Sequence, residues 1–79
     1  DVFLIREHAT LSGEPGQLVS LVPINGPVEG IITDGLKFPL NNETLYPDQT
    51  RGISNRLADS IARITIKNGL LLCIHKTTT

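Results

Sequence analysis

Residues 60–67 alternate in polarity: Ala62, Ile64 and Ile66 fall on one side, and Ile61, Arg63, Thr65 and Lys67 on the other. Asn68-Gly69 follows at once, then the apolar run Leu70-Leu71-Leu72-Cys73-Ile74, closed by His75. Period-two alternation is a strand signal, and Asn-Gly supplies the positive φ angles of a two-residue turn. The spacing predicts a hairpin pairing Lys67 with Leu70, Ile66 with Leu71, Thr65 with Leu72 and Ile64 with Cys73. Opposed residues share a face. Ile64, Ile66, Leu71 and Cys73 therefore form one apolar face, while Arg63, Thr65 and Lys67 share the other with Leu70, Leu72 and Ile74. A one-sided sheet does not leave such aliphatics in water. The Leu70, Leu72 and Ile74 stripe predicts either a second layer of the same domain or a partner.

The rest of the chain reads as strand and turn. Residues 2–9 form an expected strand, residues 12–16 a Gly/Pro turn, and residues 17–24 and 28–33 two further strands joined by a tight hairpin at Asn25-Gly26. Pro27 belongs at a strand start or an edge. Residues 34–48 are expected to be mostly loop with a short strand or helical turn, and residues 51–57 a short strand. Residues 55–62 are the one weak helical candidate. Short strands punctuated by turns predict an all-β fold, a small antiparallel β-sandwich.

Seventy-nine residues make one domain, and a chain this short buries only about 60–65% of its unfolded surface. A net charge of −1 with scattered Lys and Arg leaves no electrostatic footprint for nucleic acid. No apolar run is long enough to span a bilayer as a helix, and no signal-peptide pattern opens the chain. A single cysteine excludes an internal disulfide and fits a reducing, cytoplasmic compartment. The chain has no methionine and opens on Asp1 inside strand-like sequence, so it is expected to be one domain of a longer protein.

Between the β-like flanks lies Thr33-Asp34-Gly35-Leu36-Lys37-Phe38-Pro39-Leu40-Asn41-Asn42-Glu43-Thr44-Leu45, followed by Thr50-Arg51-Gly52-Ile53-Ser54-Asn55. A polar, turn-rich segment bearing one aromatic on a rigid scaffold commonly holds a ligand. Phe38 reads either as a plug anchoring the loop or as a stacking surface for a heteroaromatic ring. Ser54 and Asn55 read as a cap or turn, or as a patch of donors and acceptors. Arg51 reads as a solvated surface residue or as a fork for phosphate. Asp34 with Glu43 makes a poor metal pair, because Asp before Gly is ordinary turn chemistry. His8 and His75 have no metal-ligand spacing, and Cys73 falls on the apolar face as a core residue. No nucleophile–base pair and no glycine-rich phosphate loop is present.

The same segment resembles the thiamin-binding C-terminal region of the bacterial-type thiamin pyrophosphokinases. That family reads GLK-aromatic-PL-x-NETL, then TRG-x-SN, then an apolar GLLL-x-I strand. Here the pieces are Gly35 to Leu40, Asn42 to Leu45, Thr50 to Asn55 and Gly69 to Ile74, in that order. Where the family commonly has F-G-S before the Thr, this chain has Pro47-Asp48-Gln49.

The resemblance implies a β-sandwich holding thiamin, with Phe38 packing on it, Ser54 and Asn55 bonding the aminopyrimidine edge, and Thr50 and Arg51 nearby. It implies a homodimeric enzyme that transfers pyrophosphate from ATP to thiamin, giving thiamin diphosphate and AMP. ATP and Mg2+ would be held by a separate N-terminal domain and no cofactor by this chain, which would contribute position rather than acid–base chemistry. The competing expectation is a non-catalytic β-sandwich that only dimerises.

Overall fold

In the computed structural model, residues 1–77 are described. Among them all regular structure is strand: β1 (Val2–Ile5), β2 (His8–Ser12), β3 (Leu18–Asp34), β4 (Asn41–Leu45), β5 (Asn55–Arg56), β6 (Ile61–Thr65) and β7 (Asn68–His75). The expected all-β class is the observed one.

The organising element is β3, 17 residues long. Its first half pairs with β7 and β5, and its last residues pair with β6 and β4, all antiparallel. β1 lies outside β7 and β2 outside β6. Two layers thus share one strand and enclose one core. Leu21, Leu71, Cys73 and Ile5 from the first layer meet Leu11, Ile31, Ala62 and Ile64 from the second.

The hairpin expected at Asn68-Gly69 does not form. β7 begins at Asn68 and takes β1 and β3 as partners, whereas β6 takes β2 and β3. The Asn-Gly pair carries the chain from one layer to the other. Gly69 has φ 112°, and a Cβ on it would stand 3.0 Å from both the Pro27 carbonyl oxygen and the Val28 Cα, so a bare backbone is needed at the crossing. The hairpin expected at Asn25-Gly26 is also absent. Asn25 (φ 61°) and Gly26 (φ 131°) interrupt the register between Ile24 and Glu29 inside the continuous β3. Positive φ here bends a strand rather than reversing it, because each half of β3 already has partners from distant sequence.

Smaller corrections follow the same logic. Residues 2–9 form two strands, β1 and β2, which join different layers on either side of Arg6-Glu7. The expected strand at 51–57 is a turn followed by the short β5, and residues 55–62 are not helical.

Burial parity survives although the pairing changed. Ile64, Leu71 and Cys73 are fully buried and Ile66 nearly so, while Arg63, Thr65 and Lys67 face solvent. Leu70 and Leu72 are half-buried, and Ile74 is 39% exposed. Among the described residues no second layer covers that stripe. Its shelter comes from neighbours on the same outer face: Leu4 and Val22 flank Leu72, and Val2 and Ser20 flank Ile74.

Candidate functional site

The chain leaves β3 at Asp34 and returns in β4 at Asn41, and the connecting segment is tied down along its length. Thr33 N–H donates to the Leu40 carbonyl at 2.9 Å, and Leu40 N–H donates to Thr33 Oγ1 at 2.8 Å. Leu36 bridges to Leu57. Lys37 N–H donates to the Arg56 carbonyl at 2.8 Å, and Ala58 N–H to the Gly35 carbonyl at 2.8 Å. Leu36 and Leu40 drive the segment's apolar side into the core. Phe38 remains outside, 50% exposed, with Lys37 Nζ 5.5 Å from its ring centroid. A ring left half in water on a fixed backbone does not plug the core, and its face is free to stack.

Asn55 meets Phe38 through its carboxamide. Oδ1 accepts Phe38 N–H at 3.0 Å and Arg56 N–H at 2.9 Å, and Nδ2 donates to the Phe38 carbonyl at 2.7 Å. Asn55 is 2% exposed, whereas Ser54 beside it is exposed. Ser54 has φ 61°, and its N–H donates to Ser20 Oγ at 3.1 Å.

The turn preceding Ser54 is pinned to β3 and to β4. Ile53 N–H donates to the Thr50 carbonyl at 3.0 Å, and the Gly52 carbonyl accepts Leu21 N–H at 2.9 Å. Gly52 is buried, with space for a Cβ closed by the Leu21 carbonyl and Leu45. Arg51 Nη2 lies 2.9 Å from Glu43 Oε1 and 3.1 Å from Oε2, and the Asn41 N–H also donates to Glu43 Oε2 at 3.2 Å. An exposed ion pair of this kind contributes at most about 1 kcal/mol. Its consequence is to hold the turn against β4.

Of the residues expected at the site, the structure joins Phe38 and Asn55 directly and sets Ser54 beside them. Thr50 and Arg51 lie across the turn, with Arg51 engaged by Glu43. Residues Asn41–Leu45 form strand β4, and its Glu43 ties the Arg51 turn to the Asn41 backbone. Lys37 and Ser20 were not singled out as site residues. Ser20 carries a visible signal: it is the one polar side chain in the outward series Leu18, Ser20, Val22, Ile24. Lys37 over Phe38 gives none, because adjacent residues need not touch.

The donor set does not fit Mg2+. Among the described residues no three His, Cys, Asp or Glu side chains converge, and Glu43 is occupied by Arg51. What the site can offer a ligand is a stacking face, the hydroxyls of Thr50 and Ser54, and the Arg51 guanidinium. The arrangement is an open surface: Phe38, Thr50, Arg51 and Ser54 are all exposed.

Residues 6–71 match the family described as "Thiamin pyrophosphokinase, vitamin B1 binding domain". Among solved structures, the chain is similar to a thiamine pyrophosphokinase from Bacillus subtilis, with a TM-score of 0.87 and 22% identity over 99% of this chain and 38% of that one. A thiamin pyrophosphokinase from Geobacillus thermodenitrificans gives a TM-score of 0.82 and 21% identity over 99% of this chain and 37% of that one. A thiamin pyrophosphokinase family protein from Enterococcus faecalis gives 0.78 and 18%, over 99% of this chain and 37% of that one. At such identities the likeness is one of fold, and the chain spans under two-fifths of each structure's length. A comparison with curated proteins returns no match.

Proposed function

This chain belongs to the thiamin pyrophosphokinase vitamin B1 binding domain family, and on that footing we propose that the surface around Phe38 holds thiamin within an enzyme that transfers pyrophosphate from ATP to thiamin. The observation that carries the reading is Phe38: half exposed, on a segment whose backbone is fixed from Thr33 to Leu40. An aromatic platform suits thiamin, whose aminopyrimidine stacks and whose thiazolium makes cation–π contact. Ser54 offers a hydroxyl to the pyrimidine edge, and Arg51 offers a guanidinium to a phosphate if it exchanges Glu43 for one.

Small-molecule sites usually enclose most of their ligand, and this platform is open on one side. A second wall is therefore part of the proposal. We assign it to a separate ATP- and Mg2+-holding domain that precedes this one in the full chain, which makes this the C-terminal domain of an enzyme of bacterial type. This domain supplies alignment. In phosphoryl-type transfer, alignment and charge stabilisation carry most of the catalysis, so a wall without a base still matters.

The outer face of the first layer supports a homodimer. Val2, Leu4, Val22, Ile24, Leu70, Leu72 and Ile74 lie on it, with no charged side chain among them. The apolar centre of this face, with the exposed Arg56 only at its margin opposite Leu18, meets its own copy with little like-charge repulsion. The free, buried Cys73 is in keeping with a reducing cytoplasm.

Calorimetric titration with thiamin, thiamin diphosphate and ATP tests the reading. For this domain by itself thiamin binding without ATP binding is expected, and Phe38→Ala should weaken it. If the full-length protein binds thiamin equally well with and without the Phe38 ring, the platform is refuted. If it binds no thiamin at all, the apolar face leaves the dimerisation module as the better reading.

A further inference from the structure

We propose that Asn55 is a positioning residue, which acts on thiamin only by aiming Phe38. The proposal deepens the platform reading above and rests on it.

The segment bearing Phe38 runs alongside β5 as a short ladder. Leu36 bridges to Leu57, and Lys37 N–H reaches the Arg56 carbonyl at 2.8 Å. The rung expected next is made by a side chain. Asn55 receives the N–H of Phe38 at 3.0 Å and donates to its carbonyl at 2.7 Å. Both backbone polar groups of the aromatic residue are thereby held by one carboxamide. Pro39 follows and has no N–H to give, so Phe38 is the last residue before the turn that can be held this way.

The chemistry fixes the orientation of the amide. Its oxygen faces two N–H donors, Phe38 and Arg56, and its nitrogen faces a carbonyl. A flipped amide would set NH2 against two donors. Only asparagine supplies acceptor and donor from so short a stem: aspartate lacks the donor and serine the span. The oxygen is saturated, one of the nitrogen's two N–H bonds goes to the Phe38 carbonyl, and the residue is 2% exposed. Little of it is left for a ligand. Ser54, exposed at its side, is the better candidate for the pyrimidine edge.

The test is a double-mutant cycle in the full-length protein. Thiamin affinity is measured by calorimetry for wild type, Asn55→Ala, Phe38→Ala and the double variant, with thermal melts confirming that each folds. A thiamin analogue carrying oxygen in place of the pyrimidine amino group is titrated in parallel. Asn55→Ala should weaken thiamin about 2- to 10-fold, the range of one aromatic contact. It should cost nothing more once Phe38 is gone, and the ratio of thiamin to analogue affinity should stay at the wild-type value. An Asn55 effect that persists in the Phe38→Ala background, or a collapse of that ratio, would make Asn55 a direct ligand contact and overturn the proposal. An unchanged affinity in Asn55→Ala overturns it too. Equal binding by wild type and Phe38→Ala would instead remove the platform reading on which it rests. Where Asn55→Ala does not fold, Asn55→Asp takes its place; it keeps both accepted bonds and turns a carboxylate oxygen, in place of the donor, against the Phe38 carbonyl.

Discussion

Leu4 of β1 and Leu72 of β7 are register partners on the outer face of the first layer, Leu4 50% exposed and Leu72 half-buried. Val22 flanks Leu72 from the other side. No part of the described chain lies over them, so Leu72→Lys places a charge on the face with little disturbance of the core. We expect the wild-type protein to sediment as a dimer and Leu72→Lys as a monomer with a similar melting temperature. A dimer that survives the lysine would show that this face is not the interface.

Phe38 protrudes from a fixed backbone, so losing its ring should cost binding and little else. Phe38→Ala is expected to weaken thiamin about 2- to 10-fold by calorimetry while the melting temperature stays within a few degrees. A large drop in melting temperature would mean that the ring supports the fold.

Gly52 has no room for a methyl group. A Cβ there would press on the Leu21 carbonyl and stand 2.9 Å from Leu45 Cδ1. Gly52→Ala should lower unfolding free energy in urea by about 1–3 kcal/mol. Because the same turn carries Arg51 and Ser54, thiamin affinity should fall as well. Wild-type stability in this variant would contradict the close approach.

Burial pushes the Cys73 thiol up to about 11. At pH 8 about one thiol in a thousand is then thiolate, and the group is fully buried. A disulfide reagent should label the native protein far more slowly than the urea-unfolded one. Rapid, complete labelling of folded protein would refute the buried assignment.

His75 lies 3% exposed, its Nε2 donating to Gln17 Oε1 at 2.9 Å. Burial lowers its pKa from the ordinary 6.5. The unfolded chain therefore takes up the proton first. The stability this adds is complete above pH 6.5 and is lost as pH falls through the lower folded value. Urea midpoints should drop between pH 7.5 and 5, and His75→Gln should flatten that slope. An equal slope in the variant would assign the effect to other groups.

What the sequence made legible was parity, not partnership. Ile64, Ile66, Leu71 and Cys73 are buried as their alternation required, because alternation is a property of a single strand. Their partners were not legible. Asn-Gly reports positive φ, and positive φ serves a bulge in β3 and a crossing before β7 as readily as a hairpin. The Leu70, Leu72 and Ile74 stripe called for a second layer or a partner, and the described chain supplies no such layer. At the candidate site, composition and resemblance picked out Phe38 and Asn55 as neighbours of a ligand. The bond between them was invisible, since it joins residues 17 apart through a side chain standing in for backbone. The lock between Arg51 and Glu43 was invisible for the same reason: it spans a turn whose course depends on Gly52 fitting beneath Leu21.

β1 closes against β7, with Val2 opposite Ile74. Nearly the whole chain must be gathered into one loop before that rung forms, and the entropy of closure precedes any reward from packing. The domain should therefore fold slowly for its size, in milliseconds to seconds as all-β chains of high contact order do. On a ribosome the first strand would wait, unpaired, until the last had been synthesised.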